Sequence, residues 1–301
     1  MRHGKYPFVI SFLAIPVVLY VIYVIGPYAQ AFYLALTNYN GFSSPTFVGF
    51  ENFTRMFHNN LFWKAVQHNL FLLVALPLVT MAIALFLAFM LNVGGRSRGG
   101  VRSGVWGSKF YRLVFFFPQV LAVVIVAVLF QQILRPDASG AVNGPLHTLG
   151  VSPIGFLTNP TVAMWTVLAV LVWQAVGFYV VLFSAGMSNI PQDIYEAADL
   201  DGAGRFNMFF RVTLPLLFDT VQVAWVYLGI AAFDAFALVQ VLTVEQGGPD
   251  GATTVLANEV YKNFLQSKAG YASAMGVALF FLTLTFAGLT VRLSRRERVD
   301  F

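Results

Sequence analysis

Six windows of this chain run for about 20 residues or more with almost no charge, and a hydrocarbon layer about 30 Å thick needs roughly that many residues of helix at 1.5 Å each. They extend from Phe8 to Ala29, Asn69 to Leu91, Leu113 to Leu134, Val162 to Met187, Leu216 to Leu242 and Ala272 to Val291. Lipid offers no partner to a backbone N–H or C=O, so each window has to close its own hydrogen bonds as a helix. The expected fold is an all-α integral membrane protein with six transmembrane helices. Composition agrees, because 58% hydrophobic and 10% charged residues are far from the soluble average of about 45–50% and about 25%. A cytosolic enzyme, a disordered scaffold and a nucleic-acid module are excluded, and no nucleic-acid partner is expected. The first window is too long for a removable signal peptide and lacks a small-residue cleavage site, so it reads as a retained helix. The absence of cysteine excludes disulfides, a thiol nucleophile and thiolate metal sites.

Charge position sets the expected direction. With the amino terminus in the cytoplasm, 13 of the 18 Lys and Arg residues fall inside: Arg2, Lys5, Arg96, Arg98, Arg102, Lys109, Arg112, Arg205, Arg211, Arg292, Arg295, Arg296 and Arg298. Outside remain Arg55, Lys64, Arg135, Lys262 and Lys268. The positive-inside rule then places both termini in the cytoplasm. The Gly94–Gly100 link is basic and glycine-rich, an orienting anchor beside anionic headgroups. The outer connections, Thr37 to His68, Arg135 to Pro160 and Thr243 to Gly270, are long and carry the turn signals Asn40-Gly41, Asn143-Gly144 and Gly247-Gly248-Pro249. They read either as a docking surface or as solvated loops with interfacial aromatics. No short internal repeat occurs, so residues 1–301 read as a single membrane domain.

The connection from Ser188 to Pro215 breaks the basic habit of the inner side. It holds Asp193, Glu196, Asp199 and Asp201 against Arg205 and Arg211, a net charge of −2. A segment meant for anionic lipid would be rich in Lys and Arg, so a protein partner suits it better. Pro191 suits a first helical turn, Asp193 and Glu196 favour the positive end of a helix, and Gly202 with Gly204 permits a sharp turn. A second short helix is expected from Arg205 to Thr213, closed by Pro215 before the fifth span. The result is a helix-turn-helix bracket with Asp201, Gly202 and Ala203 at its corner.

Glu196-Ala197-Ala198, three residues, Gly202, nine residues, Val212, one residue and Leu214-Pro215 resembles the EAA motif of permease subunits in binding-protein-dependent ATP-binding cassette importers. Val212 stands where that motif has isoleucine. Further matches, to the carbohydrate-uptake branch, are Asn38-Tyr39-Asn40-Gly41, Phe47 to Phe53, Gly140 to Asn143, Asn189-Ile190-Pro191, Gly247-Gly248-Pro249 and Gly270 to Ala274. Val244-Glu245-Gln246 lengthens the approach to the glycine pair. The likeness covers roughly Phe8 to Val291. It implies that the bracket is a cytoplasmic coupling helix seated in an ATPase subunit, with Tyr195, Glu196, Ala197, Ala198, Asp201, Gly202, Ala203, Gly204, Leu214 and Pro215 at the contact. It also implies a second permease subunit in a heterodimer, two ATP-binding cassette ATPase subunits, an extracellular solute-binding lipoprotein, and a bacterial plasma (inner) membrane location. ATP and magnesium would be used by partner subunits, with no cofactor on this chain.

A sugar leaves water only where its hydroxyls find new partners, since an unpaired polar group in an apolar site costs on the order of 1–3 kcal/mol. Asp219 and Asp234 are the ionisable groups within the fifth window. Fifteen residues apart, they sit roughly 60° apart around a helix, with Tyr227 about 80° from Asp219 and Gln222 about 60° to the other side. On the fourth window Trp173, Gly177 and Ser184 share a face, with Gln174 about 100° away. Aromatic rings stack on pyranose faces and amides bind hydroxyls, so Trp173, Gln174, Gln222, Tyr227 and Asp234 are candidate solute contacts. Helix packing at Gly177 is the alternative, and Asp219 can equally serve a helix terminus. His58, His68 and His147 occur singly in outer loops, and no metal site is expected.

ATP hydrolysis needs a glycine-rich phosphate cradle followed by lysine, and Gly94 to Gly99 is followed by Gly100. The chain is therefore expected to be a transport subunit rather than an enzyme, working by alternating access. An intramembrane protease would need a histidine in a span, and a secondary transporter would need inverted repeats and more buried charge. The solute reads as a mono-, di- or oligosaccharide, such as an N-acetylglucosamine disaccharide. Glycerol 3-phosphate or another polyol phosphate is the rival, disfavoured because no arginine lies near the centre of a span.

Overall fold

The computed structural model describes residues 5–93, 97–98, 101–102, 105–243, 245 and 247–293. Arg2, Arg96, Arg295, Arg296 and Arg298, most of the Gly94–Gly100 link, and Val244 and Gln246 lie outside the described residues. In chain order the helices are α1 (Lys5–Tyr20), α2 (Gly26–Ala35), α3 (Glu51–Phe57), α4 (Asn60–Asn92), α5 (Ser108–Val120), α6 (Val123–Ile133), α7 (Asn143–Thr148), α8 (Pro160–Ser188), α9 (Gln192–Leu200), α10 (Arg205–Asn207), α11 (Leu214–Leu216), α12 (Phe218–Phe233), α13 (Phe236–Leu242), α14 (Leu256–Leu265) and α15 (Ala269–Leu293). Two short hairpins pair β1 (Thr37–Asn38) with β2 (Thr46–Phe47) and β3 (Ser97–Arg98) with β4 (Val101–Arg102). The architecture is that of a mostly helical membrane protein.

Four helices are long and apolar enough to cross a bilayer alone, and two bent pairs bring the total to six if each pair is one span. The first runs Ile10–Ala35, six residues beyond the expected end at Ala29. Pro27 does not stop it, because the five-residue π turn Val21–Ile25, closed by the Gly26 N–H on the Val21 carbonyl, widens the helix ahead of the ring. α4 starts nine residues before the expected Asn69, since Asn59 caps it by accepting from the Leu61 N–H at 2.9 Å. His68 therefore lies on a helix and not in a loop. α8 and α15 lie within a few residues of their windows. Asn159 caps α8 by accepting from the Thr161 N–H, and Pro160 fills the first helical position.

The third and fifth windows are not straight. Pro118 offers no N–H to the turn before it. Leu121 and Ala122 are extended, and α5 meets α6 at 97°. The fifth window breaks twice. Leu217 leaves helical geometry at a 73° bend, and Asp234 and Ala235 separate α12 from α13. Pro215 does not close the bracket as expected. The second arm runs on through the π turn Met208–Thr213 to Leu216, because the Leu214 N–H bonds the Phe209 carbonyl and so opens room for the proline ring.

The chain divides into two compact units, one of Met1–Trp63 with Glu259–Leu282 and one of Lys64–Asn258 with Thr283–Phe301. In the first, loop residues are stapled by side-chain amides. Asn52 donates to the Ala35 and Thr37 carbonyls at 2.9 and 2.8 Å. The Asn40 side chain accepts from the Phe42 and Ser43 N–H groups and shapes the Asn40-Gly41 turn, where Gly41 has φ +94°. Gly270 donates to the Tyr39 carbonyl at 2.9 Å, and a Cβ there would stand 2.1 Å from the Thr37 carbonyl oxygen. In the second unit the core lies between α4, α8, α12 and α13, around Leu72, Leu76, Phe183, Leu228 and Leu238. Asn143, fully buried, donates to the Arg135 and Ile154 carbonyls and accepts from the Ile154 N–H at 2.8 Å, folding the segment 135–160 onto itself. Asn69, buried on α4, donates to the Ala232 carbonyl and accepts from the Leu256 N–H.

Candidate functional site

The bracket forms as a helix, a glycine corner and a second helix. Pro191 precedes α9 with extended geometry, and Asp193 lies in the first turn, where its charge meets the unpaired N–H groups. The corner is a Schellman motif: the Gly202 N–H bonds the Asp199 carbonyl at 3.0 Å and the Ala203 N–H bonds the Ala198 carbonyl at 2.9 Å. Gly202 has φ +75°, where L side chains are disfavoured, and a Cβ there would touch nothing. Glu196, Ala197, Asp201, Gly202 and Gly204 are exposed, Ala198 and Ala203 are half-buried, and Leu214 and Pro215 lie in the last turns of the second arm. Leu200, 90% exposed, and Phe206, stacked 4.4 Å from Phe210, add apolar surface to the acidic corner.

Tyr195 faces inward. Its ring is buried between the two arms, with the Thr213 hydroxyl 3.5 Å from its own. Burial pushes the phenol pKa up, and the Thr213 contact lowers it less. A cavity of about 160 Å³ opens beside it, lined by Asn92, Val93, Met187, Ser188, Ile190, Gln192, Tyr195, Glu196 and Asp199.

The expected solute contacts divide into two groups. Along α12, Asp219, Val223, Tyr227 and Ile230 are exposed, with Tyr227 64% exposed, and Asp234 is exposed just past the helix end. Asp219 lies in the first turn of α12, and Asp234 follows its last residue instead of sitting inside a helix. A short side chain that competes for backbone bonds favours such an end. Gln222 is half-buried on the same helix. On α8, Trp173 is exposed and meets Phe130 edge-on at 5.0 Å. Gln174 donates to the Leu121 carbonyl at 3.3 Å, at the break of the third window. A Cβ on Gly177 would lie 1.8 Å from the Phe115 carbonyl oxygen, so glycine lets α5 and α8 pack backbone to backbone. Ser184 is buried and accepts from the Asn92 amide at 2.9 Å. The α8 stripe thus combines one exposed ring with three packing positions.

Sequence reading gave Asn69 and Asn92 no bonding role and gave Arg112 only that of an inner-face charge. Asn69 and Asn92 sit at the two ends of an apolar run, and their polarity was the available signal. Among the described residues no three His, Asp or Glu side chains gather to hold a metal ion.

The profile of the binding-protein-dependent transport system inner membrane components matches residues 92–299. A diacetylchitobiose uptake system permease protein of Streptomyces coelicolor is 43% identical over 300 residues, spanning 98% of this chain and 84% of its own length. A multiple sugar-binding transport system permease protein of Streptococcus mutans is 30% identical over 96% of both chains. In the crystal structure of a bacterial alginate ABC transporter with an alginate pentasaccharide-bound periplasmic protein, one chain shares this fold with a TM-score of 0.82 at 23% identity, over 97% of this chain and 96% of that one. The chain is a multi-pass membrane protein and belongs to the binding-protein-dependent transport system inner membrane components, the permease subunits of ATP-binding cassette importers.

Proposed function

We propose that this chain, as a single permease domain, is one permease subunit of an ATP-driven bacterial sugar importer and that its solute is an N-acetylated disaccharide of the diacetylchitobiose kind. The observation that carries the solute class is the 43% identity over nearly the whole chain to a diacetylchitobiose permease. A xylose/arabinose import permease protein of Haloferax volcanii is a further relative, 30% identical over 91% of this chain, so sugars recur as the named solutes. Glycerol 3-phosphate is disfavoured. The chain crosses the bacterial plasma membrane six times in this reading, each bent pair serving as one span, with both termini and the bracket in the cytoplasm.

The bracket couples the spans to two ATPase subunits, which use ATP and magnesium, while this chain does no chemistry. Its exposed acidic corner and the surrounding Leu200 and Phe206 suit a protein groove better than anionic lipid. A second permease subunit faces the exposed residues of α12, and between the two subunits the solute meets Tyr227, Asp234, Gln222, Trp173 and Gln174 as the cavity alternates between outward and inward access. An extracellular solute-binding lipoprotein delivers it. Calorimetry of that binding protein against diacetylchitobiose, maltose and glycerol 3-phosphate tests the solute. Tight binding of diacetylchitobiose alone is expected, and preference for glycerol 3-phosphate sinks the reading.

A further inference from the structure

Three elements meet at the bracket-side end of the second unit. Arg112 on α5 donates through Nη2 to Asn92 Oδ1 at 2.6 Å, and Asn92 Nδ2 donates to the Ser184 hydroxyl at 2.9 Å and to the Ala88 carbonyl at 2.6 Å. Ser188, one turn on, returns its hydroxyl proton to the Ser184 carbonyl at 2.9 Å. Asn92 and Ser188 also line the cavity whose other wall is Tyr195, Glu196 and Asp199 of the bracket. Hydrogen bonds therefore tie α5 to α4 and α4 to α8, and Asn92 and Ser188 face the bracket across that cavity.

Arg112 is half-buried and only partly paired. Its Nε is buried and makes no hydrogen bond in the structure, so the loss of water around the guanidinium is only partly offset. What the side chain adds over an apolar one is a charged N–H donor to the Asn92 acceptor. The rest of α5 is already tied to α8, by Gly177 against Phe115 and by Gln174 on the Leu121 carbonyl. Arg112 fixes the remaining end.

We propose that Arg112 is a positioning residue which, through Asn92 and Ser184, makes α4, α5, α8 and the bracket move as one body during transport. The proposal rests on the bracket being the coupling element. The complete importer in nanodiscs tests it, since a chain without cysteine accepts paired labels. Spin labels on Trp106→Cys, 96% exposed ahead of α5, and Asn207→Cys, exposed on the second arm, report their separation before and after trapping with ATP and vanadate. The separation should stay constant with Arg112 and with Arg112→Lys, and should shift by roughly 5 Å or broaden in Arg112→Met. Diacetylchitobiose taken up per ATP hydrolysed should fall roughly 2- to 30-fold in Arg112→Met at a temperature where the variant is fully folded, with basal ATPase unchanged, and should recover in Arg112→Lys. An unmoved label pair in Arg112→Met, or a loss of uptake that merely follows a loss of melting temperature, overturns the latch. A crosslink from Ala203→Cys to the ATPase subunit separates the two readings: its absence overturns the bracket assignment, and its presence beside an unmoved pair overturns the latch alone.

Discussion

The N–H of Ala203 bonds the carbonyl of Ala198 at 2.9 Å, so the corner of the bracket closes over a glycine whose φ is +75°. Nothing lies within 4 Å of where a Cβ on Gly202 would stand. The residue is demanded by backbone conformation. Replacing Gly202 by valine should cost about 1–2 kcal/mol of local backbone strain. It should abolish solute-stimulated ATPase activity while leaving the amount of membrane-inserted permease unchanged. Normal stimulation in that variant would remove the corner from the coupling pathway.

Gly177 and Gly288 make opposite predictions for one substitution. Gly177→Ala drives a methyl group into the Phe115 carbonyl and should destabilise the solubilised permease by about 3 kcal/mol, the upper range for overpacking. Gly288→Ala meets nothing within 4 Å on α15 and should stabilise the helix by about 0.5–1 kcal/mol, moving the melting curve slightly upward. Equal melting temperatures for both variants would disprove the close α5–α8 contact.

Asn143→Ala strips three hydrogen bonds from a fully buried site and strands the Arg135 carbonyl and the Ile154 N–H. A loss of about 1–3 kcal/mol per stranded group is expected. Limited proteolysis should then cut the segment 135–160 faster than in the parent protein. Unchanged cleavage would show that the staple holds nothing.

Asp234→Asn and Tyr227→Ala should change the solute concentration giving half-maximal uptake, with the ATPase subunits still co-purifying. Trp173→Ala should raise that concentration too if its ring stacks on the sugar. Kinetics identical to the parent protein would return these residues to helix packing.

Tyr195 carries a pH prediction. Burial raises its phenol pKa in the folded state, so the folded chain holds the proton more tightly than the unfolded one. Its contribution is complete below the ordinary tyrosine pKa of about 10 and is lost as pH rises past it. Tyr195→Phe should flatten the alkaline limb of the stability curve and leave coupling near normal, because the 3.5 Å contact to Thr213 is weak. An unaltered alkaline limb would count against this account.

Hydropathy and charge in the sequence determined the membrane class and the windows of α8 and α15, because a bilayer reads mean apolarity and length, and those are properties of a linear segment. The bracket was legible for a related reason. Pro191, Asp193, Gly202 and Gly204 act on their own backbone within a few residues, so α9, its glycine corner and the start of the second arm follow from local rules. Tertiary structure alone decided where the third and fifth windows break. Pro118 permits a break, and Gln174 on another helix supplies a donor to the Leu121 carbonyl there. Gly177 and Ser184 shared a face with Trp173 on the helical wheel, but what each side chain meets depends on α5 and α4, which no periodicity within α8 contains. The same holds for Arg112 and Asn92, 20 residues apart and joined at 2.6 Å: a hydrogen bond between helices needs two elements placed in space, and only the fold places them.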